Sequence, residues 1–245
     1  MLTCMQSLSN IMIAFLFLNV FCSSCNNSNT ARERPNKHFV NCVVVSTDSL
    51  IKENEQLRLN IDVRYPKLLL DKNSAYCSEK KAKQINHINE IINNIISSSV
   101  SEINEVAIYN TKNEIDSSLY IEIKQILSSD SLFQVILEYN QDGIGPRPIS
   151  GFININYDLN KNKLLDINDI IRINNSFLSM MNNQIKIKFD YYDCPYREKN
   201  LAYKVFLLQP DGIDFYFSDA QIERGCESKM IHIPRSLLNP YLLSK

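Results

Sequence analysis

The sequence predicts an α+β fold: antiparallel sheet(s) with a long helix in the N-terminal half and a second helix packed on the C-terminal sheet. Three observations predict it. Runs of β-branched and aromatic residues recur at hairpin-length separations, which favours antiparallel pairing. From Ser78 onward isoleucine recurs at helical spacing. The chain closes on Ala202–Tyr241, which reads as three strands and a terminal helix around the turn Pro210-Asp211-Gly212. In that turn Pro pre-sets φ, Asp bonds back to the backbone and Gly accepts a positive φ.

In order, Phe39–Ser46 is a continuous apolar run with three valines, a buried strand by composition. Glu55–Tyr65 alternates, with Leu57, Leu59, Ile61, Val63 and Tyr65 on one face, and Pro66 is expected to end it. Ser78 is the N-cap of a helix over Ser78–Ser99, whose stripe is Ala82, Ile85, Ile88, Ile92, Ile95 and Ile96. Ser101–Ser117 reads as irregular. Ser118–Leu127 and Leu132–Tyr139 form a hairpin, Gln141–Pro148 is a Gly/Pro loop, and Gly151–Leu159 is a strand. Asp166 caps a short helix to Ile171, and Ser176–Phe189 is a helix with Phe177, Met181 and Ile185 inward. Asp190–Asn200 is a Tyr-rich loop. The strands Tyr203–Leu208, Ile213–Phe217 and Ser228–Ile233 follow.

The 245 residues, 44% hydrophobic, are enough for a sizeable core. Balanced charge, 26 basic against 27 acidic residues, gives no electrostatic reason to expect nucleic acid. Ile11–Phe21 is apolar except for Asn19 and short of a spanning helix, so residues 1–24 read as a signal peptide. Ser23-Ser24-Cys25 resembles a lipobox, which makes Cys25 the lipidation site and residues 25–37 a tether. The alternative is an ordinary signal peptide with Cys25 a plain thiol. The localisation expected is an exported, membrane-anchored lipoprotein of the bacterial cell envelope, with Asn26 leaning toward the outer membrane.

If Cys25 carries lipid, the mature chain keeps Cys42, Cys77, Cys194 and Cys226, an even number in a compartment that permits disulfides. They allow three connectivities. Local pairing, Cys42–Cys77 and Cys194–Cys226, closes two loops of similar size; four free thiols are the other reading.

Signals for chemistry are sparse. Asp158-x-Asn160-x-Asn162, with Asp166 and Asp169, approaches a calcium loop, but Lys163 stands where the turn needs Gly. Capping by Asp166 explains the segment without metal. No nucleophile elbow, H-E-x-x-H or nucleotide loop is present. No cofactor and no metal are expected, and His87 and His232 read as structural. Asp211 and Asp214 are carboxylates of the type that acid–base chemistry uses, though turn chemistry accounts for the first. Tyr191, Tyr192 and Tyr196 suit a contact surface or the packing of a sheet edge.

Phe152–Ile170, the Phe215-Tyr216-Phe217 strand and the ending Ile233-Pro234-Arg235-Ser236-Leu237 resemble a bacterial extracytoplasmic module. It follows a smaller one, matched here by Arg64-Tyr65-Pro66-Lys67-Leu68 and Ile85-Asn86. The pair is similar to the outer domain of lysozyme-responsive anti-sigma factors of the RsiV kind and to the N-terminal part of PdaC-type peptidoglycan deacetylases. The resemblance implies a smaller α+β module over 38–117 and a larger one over 118–245. Where that family carries a Gly-Gly-Ala-His-like loop, this chain has Gly143-Ile144-Gly145-Pro146-Arg147-Pro148, so any role of the histidine does not transfer. The expected function is a non-enzymatic binding module for a lysozyme-type hydrolase or a cell-wall glycan, with Gly143, Gly145, Arg147, Tyr191, Tyr192 and Tyr196 as ligand contacts. The alternative is a hydrolase of envelope polysaccharide or peptidoglycan using Asp211 and Asp214.

Overall fold

The computed structural model describes residues 42–71, 77–191, 203–219, 221–222 and 229–243. The signal peptide, the tether with Cys25, and Cys194, Cys226, Tyr192 and Tyr196 lie outside the described residues. A six-stranded sheet runs in chain order from β1 (Val43–Asn54) and β2 (Leu59–Leu70) through β3 (Ser117–Ser128), β4 (Leu132–Asp142), β5 (Ile149–Asp158) and β6 (Lys163–Leu164). A second sheet holds β7 (Phe206–Leu208), β8 (Gly212–Tyr216) and β9 (Met230–Pro234). The helices are α1 (Glu79–Thr111), α2 (Asn175–Tyr191) and the short α3 (Arg235–Leu238). The class is α+β, as expected, with one parallel pair among antiparallel ones: β2 and β3 match over Leu59–Val63 and Ser117–Ile121. A parallel pair needs a long crossover, and α1 supplies it. The six-stranded sheet is therefore continuous across residues 117–118, where the resemblance divides the chain.

Alternation along the strands sorts residues into layers. One face of the large sheet presents Ile61, Val63, Leu119, Ile121, Val135, Leu137 and Ile155 to Ile85, Ile88, Ile92, Ile96 and Ile103 of α1. On the other face Ile136 meets Leu207 and Tyr216 of the small sheet, with Phe152 and Met230 alongside. The far side of the small sheet packs Phe206, Ile213, Phe215 and Ile233 against Phe177, Met181, Ile185 and Phe189 of α2. Each large side chain taken fully out of water contributes about 1.5–3 kcal/mol, so these three interfaces hold the layers in order.

Several boundaries differ from expectation, and three of them shape the sheet and its helix. Helix α1 runs on to Thr111, so Ser101–Ser117 is largely helical rather than irregular; buried Ile103, Ala107 and Asn110 continue its inner stripe. Strand β1 extends to Asn54, well past Ser46. Strand β2 passes through Pro66 to Leu70, because β3 pairs only as far as Val63 and a proline with an open side breaks no ladder. Beyond that point the Asn89 side chain takes the place of β3, accepting from Leu68 N at 2.9 Å and donating to Leu68 O at 2.8 Å. The Asp166 cap on the short 3-10 turn Ile167–Asp169 is as expected. Cys42 and Cys77 form a disulfide that ties the start of β1 to the entry of α1.

Candidate binding surface

The Gly/Pro loop singled out in the sequence meets the end of α1. Gly143 has φ +96, and a Cβ there would lie 2.6 Å from Ser117 Oγ and 2.8 Å from Asn110 Nδ2, so the position requires glycine. Asn110, 4% exposed, donates to Gly143 O at 2.7 Å and to Ser117 Oγ at 3.0 Å. One buried amide thus joins α1, the start of β3 and the loop. Gly145 is different: a Cβ there meets nothing, so neither space nor φ demands glycine. Arg147 is exposed in the same loop. Tyr191 is the last residue of α2, and its side chain, like Tyr192 and Tyr196, lies outside what is described.

Glu105, Val106, Tyr109, Asn110, Gly143 and Ile144 line a cavity of about 340 Å³ beneath this loop. Tyr109 is 70% exposed, and Ile108, Ile115 and Ile144 are exposed around it. Such a cluster of exposed large apolar side chains is a feature of interaction sites. Exposed charges of both signs stand around it: Glu102, Glu105 and Glu114, with Lys112 at the C-cap of α1 and Arg147 in the loop. Behind it, Tyr139 covers Gly151, where a Cβ would come within 2.7 Å of Tyr139 Oη. Burial pushes the Tyr139 phenol up, and the charges of Glu102 and Asp219 add to the shift. The flank of α1 facing β1 and β2 holds a separate groove of about 670 Å³, lined by Leu50, Tyr65, Asn93, Ser97, Ser101 and Asn104.

Two polar clusters invite catalytic readings. Ser150 Oγ donates to Asp219 Oδ2 at 2.6 Å and accepts from Lys229 Nζ at 2.8 Å, while Lys229 also pairs with Asp219. Burial alone would raise the Asp219 carboxyl, but its bonds from Lys229 and Ser150 outweigh that and hold it below the usual carboxylate range. A carboxylate so stabilised is a poor base, and an ion-paired lysine cannot take a proton, so the serine is not activated. The cluster fastens β5 to the connection between β8 and β9.

The second cluster brings both carboxylates of the hydrolase alternative to one imidazole. His232 Nδ1 lies 2.7 Å from Asp214 Oδ1, and Nε2 lies 3.7 Å from Asp211 Oδ2. Asp214 is 7% exposed and its other oxygen accepts from Gln209 Nε2 at 2.7 Å. The buried carboxylate orients the ring, as in acid–base dyads, but the partner at Nε2 is a second carboxylate and no hydroxyl or thiol nucleophile. Gly212 is required by the close approach of β9 rather than by a positive φ as expected, since a Cβ there would lie 2.2 Å from Ile233 O. The carboxylates that suggested a calcium loop are engaged elsewhere: Asp158 Oδ1 accepts from Asn160 N and Lys161 N, Asp166 caps Asn168 N, and Asp169 pairs with Lys163 at 2.7 Å. Among the described residues no three His, Cys, Asp or Glu side chains group around a metal position.

Ile108 and Tyr109 carry no mark in the sequence reading, which takes the second half of α1 as irregular. The signal for Tyr109 was the continuation of the stripe through Ile103 and Ala107, which places Tyr109 off the core face.

No family model matches the chain, and no curated protein does. Among solved structures it is similar to a DUF3298 family protein from Pseudomonas aeruginosa, at 15% identity and TM-score 0.51, over 82% of this chain and 95% of that one. A member of the same family from Bacteroides fragilis aligns at 19% identity and TM-score 0.47, over 82% and 94%. The first likeness establishes a shared fold.

Proposed function

We propose that this chain is an envelope-anchored lipoprotein that binds its ligand without chemistry, through the surface formed by Tyr109, Ile108 and Ile144 at the Gly143 loop. The single observation that carries the reading is that surface: an open groove between the end of α1 and the loop that Asn110 fixes, lined by Val106, Tyr109 and Ile144, with Ile108 also exposed on α1. Rigid aromatic anchors beside a pocket are what a binding hot spot uses. Exposed apolar side chains among charges of both signs suit a protein, such as a lysozyme-type hydrolase, better than a cell-wall glycan. Cys25 supplies the anchor in this reading, and the tether 25–37 holds the domain away from the bilayer.

The test is titration of the purified protein with a lysozyme and, separately, with soluble peptidoglycan fragments. Binding of lysozyme should weaken at least tenfold in Tyr109→Ala and Ile144→Ser. Equal affinity in the wild type and both variants would remove the surface from consideration. The Asp214–His232–Asp211 cluster supports a second reading, hydrolysis of envelope polymer; release of reducing ends or peptides that disappears in His232→Ala would favour it.

A further inference from the structure

Among the described residues the long open edge of the large sheet is strand β1; the other edge is the two-residue β6. Strand β1 pairs with β2 alone among the described strands, it is 12 residues long, and none of its residues is buried. Its outward backbone groups can be assigned. Leu68 turns its N–H and C=O to Asn89, away from β1, and Leu68 lies opposite Val45. By alternation Val45, Thr47, Ser49, Ile51 and Glu53 direct theirs outward. Ser49 N agrees, since it donates to the Asp48 side chain at 3.0 Å rather than to β2. The apolar side chains Leu50 and Ile51 are exposed, the latter 70%. A long edge of this kind is a template for another strand.

We infer that the strand it fits is β1 of a second copy of this chain, antiparallel, with the two-fold axis at Leu50. A two-fold axis perpendicular to the sheet keeps faces together, so only registers that set a residue opposite its own copy are allowed. With Leu50 opposite itself, Asp48 faces Lys52 of the second copy and Lys52 faces its Asp48, on the same face. On the other face Ile51 lies diagonal to its copy, within reach of packing. Neighbouring registers fail. Centring on Ser49 sets Asp48 against Leu50, and centring on Ile51 sets Lys52 against Leu50. Centring on Asp48 or Lys52 sets like charges face to face, which is destabilising. The charges that guard the edge against other strands are thus complementary in one register only. Forming it frees Ser49 N–H from Asp48, whose carboxylate turns to the incoming lysine while Lys67 stays 2.9 Å from Oδ2. The inference is independent of the ligand surface at Tyr109.

The experiment uses the full chain with a single added cysteine, Leu50→Cys. Leu50 directs its backbone toward β2, so across the edge it occupies a non-hydrogen-bonded pair with Cα atoms about 4.5 Å apart, within disulfide range. Mild oxidation should give a disulfide-linked dimer on a non-reducing gel, absent from the wild type. Adding Lys52→Asp should cut its yield at least tenfold, and adding Asp48→Lys to that variant should restore it. Ile51→Pro, which removes an outward N–H and leaves the β2 ladder, should abolish it, with circular dichroism unchanged. No dimer in Leu50→Cys, or a yield indifferent to Lys52→Asp, would overturn the inference.

Discussion

The two cores of this protein are built from different materials. The core under α1 is mainly aliphatic, centred on Ile61, Val63, Ile88, Ile92, Ile121, Val135 and Ile155, with Phe133 and Tyr157 as its two buried rings. The core under α2 is aromatic, with Phe177, Phe189, Phe206, Phe215, Phe217 and Tyr203 at its centre. Their rings meet edge to face: Phe177 and Tyr203 at 5.7 Å, Phe189 and Phe217 at 6.2 Å, Tyr203 and Phe215 at 5.8 Å. Burial drives the Tyr203 phenol up to about 12, so it stays neutral throughout the physiological range. The difference follows from size. A six-stranded sheet under a 33-residue helix offers many small contacts, whereas a three-stranded sheet must close its core with few positions and therefore with large ones. The aromatic core depends on individual rings, and the aliphatic one spreads its stability.

That contrast can be broken experimentally. Phe215→Ala should cost about 4 kcal/mol in denaturant unfolding, against about 1 kcal/mol for Ile88→Val in the other core. Comparable losses would show that the aromatic core relaxes around its cavity. Reduction of Cys42–Cys77, which spans 35 positions, should lower stability by about 3–4 kcal/mol, and the double serine variant should be no worse than either single one. Additive losses would mean that the cysteines act separately.

Asp219→Ala strands Lys229 at the seam between the sheets and should cost about 3 kcal/mol. Because the folded carboxyl is held below its unfolded value near pH 3.9, this contribution is complete above about pH 4 and lost as pH falls further. The difference between wild type and Asp219→Ala should therefore shrink in acid; a constant difference down to pH 2 would contradict the assignment. Asn110→Ala leaves Gly143 O without its partner and should cost about 2 kcal/mol, with faster amide exchange in the 143–148 loop. The smallest effect is expected at Gly145→Ala, within about 0.5 kcal/mol, since nothing neighbours the added methyl. A cost near that of Gly143→Ala would show a constraint on the loop beyond its backbone.

The legible parts of the sequence were those where a local pattern and the final environment agree. The Asp166 cap, the Ser128–Ser131 hairpin and the inward Phe177, Met181 and Ile185 were all readable from spacing. Pro66 misled because a proline's effect depends on whether a strand stands at its side, and that is decided by where β3 stops. The second half of α1 misled because Ser97-Ser98-Ser99 lowers helix propensity, while Ile103 and Ala107 packed on the sheet override it. The Tyr109 surface was lost with it. The approach of Asp211 and Asp214 to His232 joins a turn to a neighbouring strand, a tertiary event with no spacing of its own.

The amides along α1 have a mechanical consequence. A smooth cylinder resting on an aliphatic surface is free to roll and to slide, because dispersion contacts have no direction. Helix α1, about 50 Å long, is instead keyed at three stations: Gln84 to Leu159 O, Asn89 to both backbone groups of Leu68, and Asn110 to Gly143 O. Keys at both ends and along the shaft fix its rotation as well as its position. Any torque applied at Tyr109 is therefore passed to the sheet as a whole rather than absorbed by the helix turning in its bed.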